Sequence, residues 1–250
     1  MKKLIALCMA LAMVLASVAA VAEAKTYNTV EAGKFLYATS PDFLPFEGRD
    51  DQDNVIGIEP DLVALICEKL GLTAEPYPID FDSALAAPGA GTVDAVVSGV
   101  TIREDRKAVL DFTIPYATIT QAIAQKAGSG ITMDNLGEKM IGVQTGTTGH
   151  IYAVDDFGED HVIAYNTYAL AFQALANGQV DCILVDDLVA NDYAKKIAGL
   201  EVVGTTYEPE NFGFGFAKNK EPELLADFNA VLQAMIDDGT VEAIMLKWQE

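Results

Sequence analysis

The sequence predicts an α/β protein built as two lobes of similar architecture, each with a β-sheet covered by helices. Short apolar runs alternate with helical patterns along the chain, which favours mostly parallel strands connected by helices. The segment from Gly91 to Ser98 also matches the segment from Gly178 to Val185 in its Gly, Val, Asp and apolar triplet. Each segment is typical of a buried strand, so this internal sequence repeat predicts one copy in each lobe. Unrelated buried strands can also share such features.

The first 24 residues have the pattern of an export signal. Two lysines precede an apolar run from Leu4 to Val21, which ends in the small-residue pattern Ala22-Glu23-Ala24. The run is rich in alanine and only marginally long enough to span a membrane, so we expect residues 1–24 to be removed. Cys8 lies inside the run, and no lipid anchor is expected. The predicted location is the periplasm or the outer face of the cell, with a soluble mature chain.

The composition limits the classes of partner and cofactor. Without residues 1–24 the formal net charge changes from −21 to −22, because the leader carries two lysines and one glutamate. Nucleic acid requires basic surfaces, so such an acidic chain argues against nucleic-acid binding. Cys67 lies in a helical pattern and Cys182 in a strand pattern of the other lobe, so we expect two buried thiols and no disulfide. No cofactor is expected.

The predicted elements of the first lobe begin with a strand from Lys34 to Thr39. A helix follows from Pro60 to Leu70, with proline near its start and glycine just past its end, which is the usual asymmetry of helix caps. Near the end of the chain, an amphipathic helix from Glu223 to Asp237 is followed by a short helix to Trp248. Both are predicted to pack back on the first lobe.

The second lobe is predicted to alternate three strands with three helices. The strands are residues 140–143, 161–165 and 181–185, and the helices lie near residues 149–156, 168–177 and 187–197. Strands and helices in this alternation are typical of a parallel sheet covered by helices, as in the first lobe.

Polar turns follow four of the predicted strands. Ligands of open parallel sheets bind beyond the carboxyl ends of the strands, so these turns are the expected site. They are the segments Ser40–Glu47, Ser98–Arg106, Gln144–Gly149 and Asp186–Asp187. Two turns come from each lobe, which predicts a site in the cleft between the lobes.

These turns hold the groups that an α-amino acid requires. Arg106 and the backbone N–H groups from Thr145 to Gly149 suit a carboxylate, and Asp186 suits an ammonium group. Phe43 and Phe81 suit the aliphatic part of such a ligand, and an aromatic face also attracts a cation. Each residue alone also fits an ordinary role, as a solvated helix charge, a core residue, a helix cap or a tight turn. Their joint position at strand ends favours a binding site.

Five segments, in this order along the chain, resemble the family-3 bacterial extracellular solute-binding proteins. These are the polar amino-acid receptors of ABC importers, and the likeness spans nearly all of residues 33–250. The segments that carry it are Thr39–Glu47, Gly57–Leu62, Val93–Arg106, Asp111–Tyr116 and Gly142–Thr148.

For the fold, the resemblance implies the two-lobe periplasmic-binding-protein fold (type II), an α/β fold in which two parallel or mixed sheets are joined by two hinge strands. The first lobe would comprise residues 25–120 and 210–250, and the second lobe residues 121–209. The hinge strands would lie near Ile119–Ala127 and Val203–Phe212, so that the second lobe is an insertion into the first.

The resemblance also implies roles for residues of the predicted turns. Arg106 and the backbone of Thr148 look like a carboxylate clamp, Asp186 like the ammonium acceptor, and Phe43 and Phe81 like the stacking aromatics. The other residues implied in ligand binding are Ser40, Ser98, Gly99, Thr101, Gln144 and Thr147.

Two of these positions bear on the side chain of the ligand. Many relatives that take cationic amino acids carry an acidic residue where Ser40 stands, and some members carry lysine where Gln144 stands. A hydroxyl and an amide at these positions predict a neutral polar amino acid, although Glu47 or Asp42 would still be within reach of a cation.

The expected mechanism is capture followed by closure. The amino acid would first contact the first lobe, and Thr148 and Asp186 of the second lobe would then reach the same molecule and favour the closed form. The closed protein, a monomer, would then dock on the membrane permease of an ABC importer.

The main alternative is an enzyme on the same scaffold, because exported cyclohexadienyl dehydratases resemble this family and bind small carboxylates in the same cleft. Asp186 or Glu47 would then serve as the general acid or base. Nucleotide binding by the turn from Gly142 to Gly149 is less favoured, since this turn lacks the Gly-Lys-Ser/Thr ending of a phosphate-binding loop.

Metal sites are also disfavoured. The two histidines, His150 and His161, lack further ligands at metal-binding spacing and are predicted to be solvated surface residues. The turn that contains Asp50, Asp51 and Asp53 is a conceivable calcium loop, but it lacks the twelve-residue spacing of ligands and is predicted to be a solvated loop.

Overall fold

The computed structural model describes residues 25–249. The predicted export signal, residues 1–24, lies outside the described residues. Two five-stranded sheets with their covering helices form the two lobes, as predicted. Within the described part of the chain, none of the helices combines the length and the hydropathy needed to cross a bilayer.

The first part of the chain contains six strands and three helices. They are β1 (Lys34–Thr39), β2 (Gly48–Arg49), β3 (Val55–Ile56), α1 (Ile58–Leu70), β4 (Thr73–Pro78), α2 (Phe81–Ala90), β5 (Ala95–Val96), α3 (Glu104–Lys107) and β6 (Leu110–Phe112). The strand β1 has the predicted bounds, and α1 begins two residues earlier than predicted.

The middle and last parts contain the remaining elements. They are β7 (Ala117–Ile119), β8 (Gln121–Lys126), β9 (Ile141–Gln144), α4 (Thr148–Phe157), β10 (Val162–Tyr165), α5 (Tyr168–Asn177), β11 (Cys182–Asp186), α6 (Asp187–Lys196), β12 (Leu200–Gly204), β13 (Glu210–Phe212), β14 (Gly215–Ala217), α7 (Pro222–Asp237) and α8 (Thr240–Gln249). Short 3-10 helices cover Met133–Glu138 and Glu159–His161. Each predicted strand and helix of the second lobe agrees with one of these elements within one or two residues.

Each lobe is organised around one mixed sheet. The first has the order β4-β1-β5-β14-β6, in which β4, β1 and β5 are parallel and β14 runs antiparallel to its neighbours. The second has the order β10-β9-β11-β8-β12, in which β10, β9 and β11 are parallel and β8 runs antiparallel to its neighbours. The antiparallel strands were not predicted. They follow the two crossings between the lobes, where the chain enters a sheet from the opposite direction.

A two-stranded antiparallel ladder of β7 and β13 joins the lobes, with Ile119 opposite Glu210 and Ala117 opposite Phe212. This hinge is shorter than the two segments that the sequence predicted. The segment from Gln121 to Lys126 is β8, which lies in the middle of the second sheet and is buried along most of its length. A strand that is paired on both sides belongs to a sheet and is not free to act as a hinge.

The repeated segments adopt the same local structure in both lobes. Gly91 and Gly178 end α2 and α5 in the left-handed conformation, with φ of 75° and 73°, which glycine adopts without steric cost. Asp94 donates its N–H to the carbonyl of Leu36 at 2.8 Å and accepts the N–H of Leu36 on its carboxylate at 2.8 Å. Asp181 makes the same two bonds with the residue before β9. The two segments, residues 91–98 and 178–185, therefore form a structural repeat. In the first segment only residues 95–96 are paired as a strand.

The last two helices pack on the first lobe, as predicted. Phe228 of α7 lies with its ring centroid 4.7 Å from that of Phe35 in β1 and 5.2 Å from that of Phe216 in β14. The helix α8 packs against α1, and Trp248 Nε1 donates to the carboxylate of Asp61 at 2.8 Å.

Both cysteines of the described chain are buried free thiols, in agreement with the prediction. Cys67 lies in α1 of the first lobe and Cys182 in β11 of the second. Burial raises the pKa of each thiol to about 12. Because the thiolate is the reactive form, these residues serve as small core side chains.

Candidate ligand-binding site

A cavity lies between the two lobes, beside the hinge. The lining side chains approach one another closely, so little free space is left between them in this form. Every residue that lines the cavity is buried. The lining consists of all eleven predicted binding residues and Glu47: Ser40, Phe43, Glu47, Phe81, Ser98, Gly99, Thr101, Arg106, Gln144, Thr147, Thr148 and Asp186.

Arg106 of α3 supplies a buried cation in the cavity. Its Nη1 donates to the carbonyl of Thr101 at 3.0 Å, and its Nη2 donates across the cleft to the carbonyl of Gly146 at 3.0 Å. The guanidinium carbon also lies 5.6 Å from the centroid of the Phe81 ring. Burial lowers the pKa of Arg106 to about 10, so the side chain stays charged at neutral pH. The remaining N–H groups of the guanidinium suit a carboxylate.

The turn between β9 and α4 brings a helix N-terminus to the cavity. Thr147 caps α4, because its Oγ1 accepts the N–H of His150 at 3.2 Å and donates to the carbonyl of Gln144 at 2.8 Å. The first N–H groups of a helix have no intrahelical acceptor, so those beginning at Thr148 suit an anionic group. His150 is half-buried, and its Nδ1 accepts the N–H of Gly146 at 3.2 Å. The prediction of a solvated His150 is therefore wrong, because this side chain orders the turn.

Asp186 ends β11 and precedes α6, but its carboxylate makes no capping hydrogen bond to that helix. Its Oδ1 accepts from Nε2 of Gln121 at 2.6 Å. Burial, followed by the neighbouring carboxylates of Glu210 and Asp187, raises the pKa of Asp186 well above its ordinary value, whereas Arg106 opposes the rise. A cation in the cavity would therefore stabilise the ionised form of Asp186.

The two predicted aromatic residues lie on the first-lobe side of the cavity. Phe43 stacks between Phe46 and Tyr168, with ring centroids 5.8 and 5.6 Å away. Its ring also lies directly on Gly99, which has φ of 55°, and a Cβ at that position would meet the Phe43 ring at 2.6 Å. Glycine is therefore required here, both by its backbone conformation and by the close approach of the ring.

One end of the cavity is polar and carries no buried cation. Gln144 Nε2 donates to Ser40 Oγ at 3.3 Å and to the carbonyl of Asn166 at 3.0 Å. Ser40 Oγ in turn donates to Asp42 at 3.1 Å. Because both amide protons of Gln144 are engaged, its carbonyl oxygen is the group that faces a ligand as an acceptor.

Glu47 and Glu59 form a pair of buried carboxyl groups behind this end. Ser98 Oγ donates to Glu47 at 2.8 Å, and Gly99 N–H donates to Glu59 at 3.0 Å. The hydroxyl of Tyr116 also donates to Glu59. Burial raises the pKa of Glu59, and burial together with the Glu59 carboxylate raises the pKa of Glu47 well above its ordinary value. Glu47 therefore holds its proton more tightly than Glu59 does.

Hydrogen bonds across the cleft hold the lobes together. Asp42 of the first lobe accepts the N–H of Ala169 at 3.3 Å through its carboxylate, and its carbonyl accepts the hydroxyl of Tyr193 at 3.1 Å. Asn166 Nδ2 donates to the carboxylate of Asp80 at 3.3 Å. With the bond from Arg106 described above and the burial of the whole lining, these contacts define a closed arrangement.

Two functional residues, Gln121 and Glu210, were not predicted as part of the site, and Glu47 was considered only as a group within reach of a cation or as an acid or base. Glu47 lines the cavity, whereas Gln121 and Glu210 lie directly behind Thr148 and Asp186. Gln121 begins the mostly apolar strand β8, which follows the hinge, and a polar residue in such a place is a signal for a buried role. Glu210 begins the hinge strand β13, which is too short to give such a signal. The residues that hydrogen-bond to Gln121 and Glu210 are far away in the sequence, so no local sequence pattern predicts these contacts.

The sequence profile of one family matches most of the chain. It describes the bacterial extracellular solute-binding proteins, family 3, and it matches residues 36–250. The ABC transporter arginine-binding protein 1 of Escherichia coli (strain K12) is 30% identical over 227 residues, which is 89% of this chain and 93% of that protein. The L-cystine-binding protein TcyJ of the same strain is 32% identical over 223 residues, which is 87% of this chain and 83% of that protein.

Solved structures agree with this match. An ancestral arginine-binding protein bound to glutamine has a TM-score of 0.82 and 35% identity, over 86% of this chain and 97% of that chain. An ancestral amino acid-binding protein, a precursor of cyclohexadienyl dehydratase, has a TM-score of 0.78 and 32% identity, over 87% of this chain and 96% of that chain. With its two lobes, its hinge and its profile match, this chain belongs to the bacterial extracellular solute-binding proteins of family 3.

Proposed function

We propose that this chain captures a free α-amino acid in the interlobe cavity and delivers it to an ABC importer. The observation that carries the proposal is that three complementary groups line one cavity: the Arg106 guanidinium, the first turn of α4 at Thr148 and the Asp186 carboxylate. The first two suit the carboxylate of a zwitterion, and the third suits its ammonium group. Asp186 makes no cap to the helix that it precedes, which leaves its carboxylate for this purpose.

Closure of the lobes converts binding into a signal for the importer. A ligand shifts an open–closed equilibrium only by its differential affinity for the two forms, so its contacts with Thr148 and Asp186 of the second lobe decide the shift. The partner in this proposal is the membrane permease of the importer, and the protein acts as a monomer outside the cytoplasm after removal of residues 1–24.

The ligand of the proposal has a neutral polar side chain. Ser40 and the carbonyl oxygen of Gln144 offer hydrogen-bond acceptors at one end of the cavity. Burial raises the pKa of Glu47 at the same end well above its ordinary value, which favours its uncharged form. An amide or hydroxyl side chain matches these groups without bringing a charge into a buried place.

A cationic amino acid is the second candidate for the ligand, and Glu47 favours it. The Oε2 atom of Glu47 is buried without a donor among the described residues, and a nearby cation would lower the pKa of this carboxyl and ionise it. Arginine-binding relatives such as the Escherichia coli protein above fall in this ligand class.

A cyclohexadienyl dehydratase-like enzyme is the alternative of another class, with Asp186 or Glu47 as its acid or base. Its prephenate substrate carries two carboxylates and no ammonium group. The cavity and its immediate surroundings hold four acidic side chains, Glu47, Glu59, Asp186 and Glu210, and the buried cation Arg106. An ammonium-bearing ligand fits this balance of charge better than a dianion does.

A thermal-shift screen tests the proposal. Residues 25–250 are refolded to remove bound molecules and are then screened against the twenty amino acids, arogenate and prephenate, because a ligand that binds only the folded state raises the melting temperature. A rise with glutamine or another neutral polar amino acid supports the proposal. A rise with arginine and lysine alone selects the cationic candidate. No rise with any amino acid, or turnover of prephenate, contradicts the binding-protein function.

A further inference from the structure

One acidic residue of the hinge contacts both lobes at once. Glu210 is the first residue of β13 and is 7% exposed. Its Oε2 accepts from Oγ1 of Thr101 in the first lobe at 3.4 Å and from Oγ1 of Thr148 in the second lobe at 3.0 Å. Its Oε1 accepts the hydroxyl of Tyr152 in α4 at 2.5 Å. The carboxylate therefore joins donors from the two lobes at the place where the lobes rotate.

Gln121 connects this carboxylate to Asp186. Its Nε2 donates to Oε2 of Glu210 at 3.2 Å and to Oδ1 of Asp186 at 2.6 Å. The same nitrogen lies 3.2 Å from Oγ1 of Thr148. Glu210 is thus bonded directly to Thr148 and through one amide to Asp186, although it does not itself line the cavity.

The charge of Glu210 strengthens these bonds. Hydrogen bonds to an ionised acceptor are about twice as strong as bonds between neutral groups. Arg103 lies on the outer side of the cluster, with its guanidinium carbon 6.0 Å from the ring of Tyr152, and the buried Arg106 lies on the inner side. Two cations therefore face the acidic pair of Glu210 and Asp186.

One of the four donors to Glu210, Thr101, belongs to the first lobe, and the other three belong to the second lobe. Rotation about the hinge would therefore separate Thr101 from the other donors. All of the bonds are made together only when the lobes meet. The hydrogen bonds between Glu210 and its donors therefore favour the closed form over the open form.

We propose that Glu210 is a positioning residue that couples amino-acid binding to closure. It orients Thr148 and, through Gln121, Asp186, and its bonds to both lobes hold the closed form around the ligand. This inference rests on the proposed function. It predicts that Glu210 acts after the first contact with the amino acid, and therefore on escape from the closed form.

The first test compares Glu210→Gln with Glu208→Gln, which removes the same charge from an exposed residue of the same segment. The probe is L-glutamine, or L-arginine if only cationic amino acids raise the melting temperature. Glu210→Gln is expected to weaken binding by about tenfold or more. In stopped-flow experiments the dissociation rate should rise by about the same factor, and the association rate should change by less than about threefold. Glu208→Gln should leave both rates unchanged.

A second variant removes one donor and leaves Glu210 in place. Tyr152→Phe deletes a hydroxyl that bonds to Glu210 and does not line the cavity. It should weaken binding severalfold in the wild-type background and have a smaller further effect in the Glu210→Gln background, because the neutral glutamine already weakens the same bond. The matched control is Tyr207→Phe, whose ring stacks on Tyr152 at 4.6 Å and whose hydroxyl bonds to Asp156 instead.

The outcomes separate this inference from the proposed function. Equal affinities of Glu210→Gln and Glu208→Gln, a loss confined to the association rate, or additive effects in the double variant would overturn the positioning role while the amino-acid site stands. If Glu210→Gln does not fold, Tyr152→Phe against Tyr207→Phe decides the question. Failure of the wild-type protein to bind any amino acid refutes the proposed function, and the inference with it.

Discussion

Two pairs of buried carboxyl groups flank the cavity, and they are held in different ways. Glu47 and Glu59 lie in the first lobe and take their hydrogen bonds from residues of that lobe. Asp186 and Glu210 lie at the second lobe and the hinge, and their donors come from both sides of the cleft. The first pair therefore takes its hydrogen bonds from one lobe, whereas the second pair takes them from both lobes.

The two pairs of carboxyl groups differ in how their buried charge is compensated. A buried carboxylate is costly unless donors or a cation compensate it. Glu59 is compensated by Gly99 N–H and by the Tyr116 hydroxyl. Asp186 has the neutral amide of Gln121 and a like-charged neighbour. In the proposed function, the first pair belongs to the part of the site that one lobe forms, and an ammonium group of the ligand completes the second pair.

Replacing Asp186 should have the largest effect on binding. Asp186→Asn removes the charge that the ammonium group of the ligand meets, and loss of one partner of a buried charge pair costs about 2 to 5 kcal/mol. Titration calorimetry with the amino acid identified in the screen measures the loss. The control is Asp51→Asn, at an exposed position in the loop between β2 and β3. If Asp186→Asn binds the amino acid as tightly as the wild type does, the second pair does not bind the ammonium group and the proposed difference between the two pairs is wrong.

The same variant should melt at a higher temperature without ligand. The pKa of Asp186 in the folded protein lies above its ordinary value, so the folded state binds the proton more tightly than the unfolded state does. Stability from this group is full below the unfolded pKa and is lost as the pH rises through the folded pKa. Asparagine does not titrate and avoids that loss. Thermal unfolding at neutral pH checks the direction, and a lower melting temperature would contradict it.

A smaller effect is expected from pH. The pKa of Asp186 is raised in the described form, and an ammonium group beside it would lower the pKa again. Binding then releases protons where the pH lies between the lowered pKa of the bound form and the raised pKa of the free form, and across this range the affinity rises with pH by up to about tenfold per pH unit. Calorimetry in two buffers of different ionisation enthalpy counts the protons. Equal proton release by wild type and Asp186→Asn would assign the effect to the first pair instead.

The smallest effect on binding is expected in the first-lobe pair. Tyr116→Phe removes one donor from Glu59 and should lower the free energy of unfolding by about 1.5 to 3 kcal/mol, because hydrogen bonds to charged groups contribute that much. Affinity should change by less than about twofold, since the donor does not depend on closure. Urea unfolding measures the stability. Tyr165→Phe, at a half-buried tyrosine of the second lobe, is the matched control.

Local signals predicted the cores of the two lobes but not the hinge. The strand β1 and the helix α5 have the predicted bounds, because apolar patterns and a terminal glycine mark such elements. The polar turns meet in one cavity because the carboxyl ends of the parallel strands of both sheets face the cleft. The hinge strands have three residues each, which is too short for a periodic pattern. The role of Glu210 depends on donors from two lobes, and no local pattern encodes such a meeting.

The central claim is that one ligand bridges Arg106 and Asp186 through its carboxylate and its ammonium group. Titration calorimetry of the refolded protein tests it most directly by comparing an amino acid with analogues that lack one of these groups. For L-glutamine these are glutaramic acid, without the ammonium group, and 4-aminobutanamide, without the α-carboxylate. We predict that each deletion weakens binding by at least about 2 kcal/mol. Binding of glutaramic acid as tight as that of L-glutamine would contradict the account.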